Sequence, residues 1–500
     1  MGIYKQIVIR KCNFILICGD WMRGFVDMAL VLRFLKKIFW IILIYILIAG
    51  IFSYFIPAKN HPRTEVALQM ASDWEVAGEN SISPDRVKAI GNPTDALAVR
   101  LSMIRAAENY VDVVYYAIDT DESSQAFLSE LVAAADRGVK VRLMVDGKMG
   151  GLPKKYRRAL ASHPNIEFGR YNPVKIYRPW TLFEGLHDKI ILVDNKYALT
   201  GGRNVGDPYF AMANPLAANK HDWDIFMVKD SSDGPLSIVD TLESYYEDLW
   251  TNKLNRQVKA KKSDPEKIQE LLADGKIFLA DKGDLYNRPI SDFVDATFPA
   301  KRIKVFHNPL EARFGKNEAW VLNDLADLAS QATTSAYVQT PYATGTKPIM
   351  DFLSVLGENL DTTFITNSLY SANNIMASPN YLFQRKKFLA TGINIYEYLG
   401  EESIHGKALV FDDEITAVGS FNMDSRSVNL NTETMVVVDS PAFTQDFLSQ
   451  IQPTLDQSLQ VGWNNEFIER EDFTEPEVEK GKKTKFFMAY LLFRLIQFFI

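Results

Sequence analysis

Two stretches of this chain repeat one pattern of functional groups. Residues 187–204 read H-D-K-I-I-L-V-D-N-K-Y-A-L-T-G-G-R-N, and residues 405–422 read H-G-K-A-L-V-F-D-D-E-I-T-A-V-G-S-F-N. From His187 and His405 the same offsets lead to Lys189 and Lys407, to Asp194 and Asp412, to the pairs Gly201-Gly202 and Gly419-Ser420, and to Asn204 and Asn422. At average residue usage, matching Lys, Asp, Gly and Asn at fixed offsets from a given His has odds on the order of 10⁻⁵. Two such matches in a chain with 6 His make coincidence a poor account. The chain must therefore fold so that duplicated halves, offset by 218 residues (187 to 405), can bring these copies together.

The chemistry supports that constraint. Ile190-Ile191-Leu192-Val193 and Ala408-Leu409-Val410-Phe411 are short apolar runs that predict buried strands. Residues i and i+2 of a strand share a face, so each His and its Lys are expected to point into one site. Asp-Asn-Lys and Asp-Asp-Glu then turn the chain. A second strand, residues 197–200 or 415–418, returns to the Gly pair. Glycine there permits close backbone approach. Combined, the copies supply two imidazoles, two ammonium groups and two amides, a set suited to a phosphodiester. The lysines and amides offset phosphoryl charge. One imidazole attacks phosphorus and the other protonates the leaving oxygen.

The doubled H-x-K-x4-D-x6-G-[GS]-x-N pattern resembles the phospholipase D superfamily, over roughly residues 96–466. Within it, Gly201-Gly202-Arg203-Asn204-Val205-Gly206-Asp207, residues 134–142 (A-A-D-R-G-V-K-V-R) and Thr366-Asn367-Ser368-Leu369 resemble the bacterial cardiolipin synthases. The resemblance implies an α/β protein of two pseudo-twofold-related domains, each a mixed sheet flanked by helices. It implies His187, Lys189, Asp194, His405, Lys407 and Asp412 as the catalytic signature, and Asn204, Asn422, Gly202 and Ser420 as substrate-binding positions. It implies a phosphatidyl-histidine on His187, with His405 as the proton donor; the pseudo-symmetry allows the reverse. It further implies phospholipid substrates: phosphatidylglycerol, with phosphatidylethanolamine as a possible donor.

The remainder of the chain reads consistently with this. Its 500 residues require more than one domain. A helix–strand order over residues 96–145 recurs over residues 317–366, each copy ending in its own motif. The expected domains span residues 96–300 and 301–470, after a linker at 57–95. Residues 38–56 form an uncharged apolar run after Arg33, Lys36 and Lys37, which predicts a transmembrane helix with its N-terminal side, residues 1–37, in the cytoplasm. The expected location is the bacterial inner membrane, with the catalytic body outside the cytoplasm. Met28 opens a more typical anchor than Met1. In the tail, residues 471–500, Lys480, Lys482, Lys483 and Lys485 precede an aromatic-rich apolar stretch that reads as an interfacial helix on anionic lipid.

After each motif a further acid precedes an apolar strand. Aligning Asp230 with Asp439 places Asp224 on Glu433, as candidates to hold a His ring through Nδ1, with Asp222 as the alternative to Asp224. Asp194 and Asp412, seven residues from the His, read as turn-holding acids. Tyr115, Tyr116, Asp119, Thr340, Pro341 and Tyr342 follow strands whose ends face a crevice or pack between domains. Arg203 meets either a headgroup or an acid. No metal and no cofactor is called for, since there is no Cys/His ligand cluster. The net charge of −7 argues against a nucleic-acid substrate, and with it against a nuclease. The function expected is formation of cardiolipin by transfer of a phosphatidyl group, with hydrolysis to phosphatidic acid as the alternative.

Overall fold

The apolar runs following the two histidines become central strands, with the expected bounds Ile190–Val193 and Ala408–Phe411. The computed structural model describes residues 30–45, 47–48, 82–230, 237–259, 265–310 and 319–494. The first half contributes β1 (Asp85–Ile90), β2 (Tyr110–Tyr115), β3 (Lys140–Asp146), β4 (Ile166–Tyr171), β5 (Ile190–Val193), β6 (Tyr197–Gly201), β7 (Lys220–His221), β8 (Asp224–Lys229), β9 (Asn255–Gln257) and β10 (Phe298–Pro299). The second contributes β11 (Arg302–His307), β12 (Ser335–Gln339), β13 (Asp361–Asn367), β14 (Asn394–Tyr398), β15 (Ser403–Ile404), β16 (Ala408–Phe411), β17 (Ile415–Gly419), β18 (Thr434–Asp439) and β19 (Ser458–Gln460).

The sheets share one permutation. The first runs β10-β1-β8-β6-β5-β2-β3-β4-β9 and the second β11-β18-β17-β16-β12-β13-β14-β19. In each, three strands are parallel (β2, β3, β4 and β12, β13, β14) and the others pair antiparallel. Both sheets are thus mixed, as expected. One boundary differs: β1 lies inside the stretch expected to be a linker and pairs along its whole length with β8.

Strand alternation sorts the core into three layers. Ile191 and Val193 face the helices outside the first sheet, and Leu409 and Phe411 those outside the second. Ile190, Leu192, Ala408 and Val410 point inward to a shared central core, completed by helices Ile238–Thr251 and Pro441–Asp456. The sheets therefore pack on each other, and the strand period of two decides which side chains join them.

The hairpin β5–β6 turns through Asp194 and Asn195, and β16–β17 through Asp412 and Asp413, all at positive φ. Asp and Asn tolerate that region better than other residues with a side chain. Asp194 accepts the backbone N–H groups of Glu108, Asn109 and Tyr110, and Asp412 those of Thr333, Thr334 and Ser335. These contacts hold the Asp412 carboxyl well below the usual carboxylate range against the effect of burial.

Among the described residues no helix is long and apolar enough to cross a membrane. Residues 30–45 and 47–48 are helical, with Leu35, Phe39 and Ile41 exposed. Residues 46 and 49–56 of the expected span lie outside the described residues, as do residues 1–29 with Met28. The C-terminal helix Lys482–Phe493 buries Phe486 and Ala489 and rests Phe487 and Tyr490 on Phe383. It leaves Met488, Leu491 and Leu492 exposed.

A buried ion cluster joins β8 to the rest of the first domain. Asp224 accepts from Arg100 at 2.8 and 3.0 Å and from Arg203 at 3.0 Å, and all three side chains are inaccessible to solvent. Removing one member of such a set strands the others without compensation, at about 3–5 kcal/mol. Asp224→Asn is therefore expected to lower unfolding stability by about 3 kcal/mol or more in urea denaturation.

Candidate active site

The two histidines approach the site on extended backbone just ahead of β5 and β16. Each segment is held by the opposite half. Leu186 bridges Thr432, and Ile404 pairs with His221. His187 N donates to Thr432 O at 3.2 Å, and His405 N to His221 O at 2.6 Å. The next residue beyond each acceptor is an acid, Glu433 and Asp222, and it meets the ring of the same histidine. Nδ1 of His187 lies 2.8 Å from Glu433 Oε2, and Nδ1 of His405 lies 2.5 Å from Asp222 Oδ2. The carboxylates are exchanged between domains. With Nδ1–H directed at an acid, Nε2 of each ring is the atom that meets a ligand.

The expectation for Asp224 is thus corrected. Gly201 pairs with Asp224, whereas its counterpart Gly419 pairs with Met435. Asp224 therefore corresponds to Met435, and Asp222 to Glu433. Aligning the acids at the far strand ends shifted the register by two. Arg203 is likewise buried inside the fold, where it donates to Asp224 and to Ile90 O.

Gly202 and Ser420, expected at the substrate, both support the acids. A Cβ on Gly202 would come within 2.1 Å of Asp222 Oδ1, so only glycine leaves room for that carboxylate. At the equivalent place the Ser420 hydroxyl donates to Glu433 Oε2 at 2.5 Å, while Ser427 donates to Oε1 at 2.7 Å. Asp194 and Asp412 bind backbone at the hairpin turns and do not enter the site.

Lys189 and Lys407 donate to the carbonyls of His187 and His405. Lys407 Nζ also lies 3.0 and 3.4 Å from the two ring nitrogens of His405. Lys407 acts electrostatically on His187, and Lys189 on Lys407, so the half-sites share one space. Asn204 donates to the Tyr209 hydroxyl at 2.9 Å; the buried Oδ1 atoms of Asn204 and Asn422 have no partner among the described residues. Aromatic edges frame the imidazoles, with Tyr116 5.0 Å from His187 and Tyr209 and Tyr342 5.3 and 6.2 Å from His405. Tyr116 and Tyr342 are among the strand-end residues singled out in the sequence. Tyr209, Lys220 and Arg426, all near the pocket, carry no motif that would have found them.

The electrostatics hold both rings well below an ordinary imidazole pKa but separate their two acids. Burial, then Lys189, Lys407 and Arg426, hold His187 well below an ordinary imidazole pKa, in its nucleophilic neutral form. Burial and Lys407 hold His405 well below it too, with Asp222 opposing them only in part. Burial favours protonation of Asp222, yet His405 and Lys407 outweigh it and keep the carboxylate ionised. Glu433 is raised by burial, with Lys189 opposing. His405 therefore has the fully anionic partner that a proton-carrying ring needs. Burial also lowers Lys189 to about 8 and Lys407 to about 7. An incoming phosphate stabilises their charged forms. The set can perform in-line substitution at phosphorus with a nitrogen nucleophile. Among the described residues no group of His, Cys, Asp and Glu is arranged to hold a metal ion.

Comparison with known proteins agrees with this chemistry. The family model described as "Cardiolipin synthase, PLD-like domain" matches residues 101–250 and 325–454, more than half of the chain. Cardiolipin synthase C of Escherichia coli K12 is 28% identical over 389 residues, covering 70% of this chain and 80% of its own. An uncharacterised protein of Helicobacter pylori J99 is 27% identical over 420 residues, covering 74% and 78%. The fold resembles a crystal structure of phosphatidylserine synthase from Haemophilus influenzae, with a TM-score of 0.57 at 16% identity over 86% of this chain and 100% of that one.

Two outcomes are expected with a chromogenic phosphodiester. Asp222→Asn removes the anion behind His405 and should lower kcat by about 10²–10⁴-fold. The pH profile of kcat/KM, which reports the free enzyme, should show two limbs. The acid limb lies well below pH 6.5, where His187 protonates through its lowered pKa. Activity declines again as pH rises through about 7–8, where Lys407 and Lys189 lose their protons. Lys407→Arg, which keeps its charge, should move the alkaline limb upward.

Proposed function

From the premise that this chain belongs to the phospholipase D-like family described as "Cardiolipin synthase, PLD-like domain", we propose that it is a membrane-associated phosphatidyltransferase that makes cardiolipin. Nε2 of His187 attacks the phosphorus of a phospholipid. The P–O bond to the headgroup breaks, and His405 gives its proton to the departing alcohol. A phosphatidyl-histidine results. His405 then takes the proton of an incoming hydroxyl, whose oxygen displaces His187 from phosphorus. With phosphatidylglycerol as donor and acceptor, the products are cardiolipin and glycerol. Phosphatidylethanolamine is an alternative donor that would release ethanolamine.

One observation carries this reading: each histidine is held through Nδ1 by a carboxylate of the other domain, Glu433 on His187 and Asp222 on His405. That leaves two Nε2 atoms for one phosphorus, as a double displacement requires. Burial and the surrounding cations keep His187 in its neutral, nucleophilic form, and the ionised Asp222 supports His405 as acid and base.

Membrane attachment fits a substrate that does not leave the bilayer. We assign residues 38–56 as the anchor, with the body on the extracytoplasmic side of the bacterial inner membrane, because Arg33, Lys36 and Lys37 precede the run whereas only Lys59 and Arg63 follow it. Its described residues are helical and expose their apolar side chains. The C-terminal helix adds a second contact, with Lys480, Lys482, Lys483 and Lys485 ahead of exposed Met488, Leu491 and Leu492.

Membranes carrying the protein, supplied with labelled phosphatidylglycerol, are expected to form labelled cardiolipin and glycerol, and His187→Ala to lower the rate by at least about 10³-fold. Phosphatidic acid in place of cardiolipin would make the protein a hydrolase. Neither product would mean the lipid substrate is wrong. A phosphorylated peptide containing His405 in place of His187 would reverse the roles of the rings.

A further inference from the structure

Each half-site holds one cation that the repeated motif does not supply, and the two are not equivalent. Beside His187 stands Arg426, which hydrogen-bonds Tyr116. Beside His405 stands Lys220, the first residue of the two-residue strand β7 and two positions before Asp222. Its ammonium group makes no hydrogen bond and no ion pair among the described residues. Nζ stands over the face of Tyr209, 5.8 Å from the ring centroid, and that ring stands 5.3 Å from the imidazole of His405. Lys220 is half-buried, and its charge reaches His405, Lys407 and Asp222. Burial lowers its pKa, and Asp222, already engaged by His405, is the one anion opposing that shift.

Holding a cation partly away from water without a paired anion carries a cost that an arriving anion offsets. The phosphorus under attack already has Lys189 and Lys407. A second anion is therefore required to use Lys220, and the proposed reaction provides one. When the acceptor is itself a phospholipid, its own phosphodiester enters together with the reacting hydroxyl. In an in-line exchange the acceptor oxygen lies opposite the nucleophile, on the side of the ring that removes its proton. With His187 as nucleophile, that is the His405 side, where Lys220 stands.

We propose that Lys220 binds the phosphodiester of the acceptor phospholipid and so selects a phosphate-bearing alcohol over water or a neutral alcohol. The assignment rests on the phosphatidyltransferase reading. In the step it serves, the acceptor O–P bond forms, the P–N bond to His187 breaks, and the acceptor proton passes to Nε2 of His405. Lys220 touches neither bond. It positions the acceptor through its charge, with Tyr209 holding the ammonium group in place.

A partitioning experiment tests this. The phosphatidyl-enzyme is allowed to divide between phosphatidylglycerol and ethanol in the same mixed micelles, and the ratio of cardiolipin to phosphatidylethanol is measured. Because both products drain one intermediate, the ratio does not depend on how much enzyme is folded. Lys220→Gln should lower the ratio about tenfold and raise the KM for phosphatidylglycerol as acceptor more than it lowers kcat. Lys220→Arg should restore most of the ratio. An unchanged ratio in Lys220→Gln would overturn the assignment, as would a loss produced by Arg426→Gln alone, which would place the acceptor beside His187. Wild-type enzyme that forms phosphatidylethanol and phosphatidic acid but no cardiolipin would overturn the acceptor assignment while leaving phosphatidyl transfer intact. Wild-type enzyme that forms none of the three would overturn the underlying reading, and this assignment with it.

Discussion

The structure depends on an exchange of carboxylates across a domain interface. Glu433 and Asp222 are buried, and neither reaches the histidine of its own repeat. A buried carboxylate without a partner is destabilising, and so is a buried imidazole with an unsatisfied Nδ1–H. Docking the domains removes both penalties twice over. Neither half has an oriented histidine alone, so the interface and the site form in the same event. This explains why Leu186–Thr432 and Ile404–His221 are paired as backbone. The one-residue step from each bridge to each acid then places the carboxylate against the ring.

Small differences between the repeats have consequences at this junction. Ser420 reinforces Glu433 with a hydroxyl, while Gly202 makes space for Asp222. Glu433 accordingly has Ser420, Ser427 and Asn431 around it, whereas Asp222 also accepts nothing from residue 202 and sits closer to its imidazole. The shorter acid next to the closer ring keeps its charge through His405 and Lys407. A duplicated site thereby acquires different acid–base character in its two halves without any change in the His and Lys that define it.

Much of this was legible in the sequence because it depends on local pattern. The apolar runs placed β5 and β16, and the i, i+2 spacing placed each Lys with its His. The Asp-Asn and Asp-Asp pairs marked the hairpin turns, which need two residues at positive φ. The register of β8 was not legible. Its neighbours are settled by pairing with β6 and β1, strands distant in sequence, and a two-residue slip preserves the inward-outward alternation that a pattern can detect. The slip put Asp224 where Asp222 belongs and left Arg203 without an evident partner. The strand β1 was missed for a similar reason: six residues alternating Asp, Val and Ala with Arg, Lys and Ile carry a weak signal until β8 is beside them. Pro265–Leu271, Ala273–Asp281 and the short helices after them owe their place to packing on the first domain, not to a strong period of their own.

The same reasoning explains why a family signature does not by itself distinguish transfer to a lipid from transfer to water. The repeated residues act on one phosphorus, and that phosphorus is common to both reactions. Discrimination has to come from whatever surrounds the second nucleophile, outside the repeat. Tyr209 and Lys220 lie there, in the segment between Asn204 and Asp222, on the side of His405. Tyr342 approaches the same ring from the opposite domain. With Tyr209, Tyr342 and Lys220 around one imidazole and Tyr116 and Arg426 beside the other, the site is symmetric in its bond-making atoms and asymmetric in its walls. A substitution that exchanges one phosphoester for another needs that combination, since the chemistry at phosphorus is nearly the same in both steps while the alcohols that leave and enter are not.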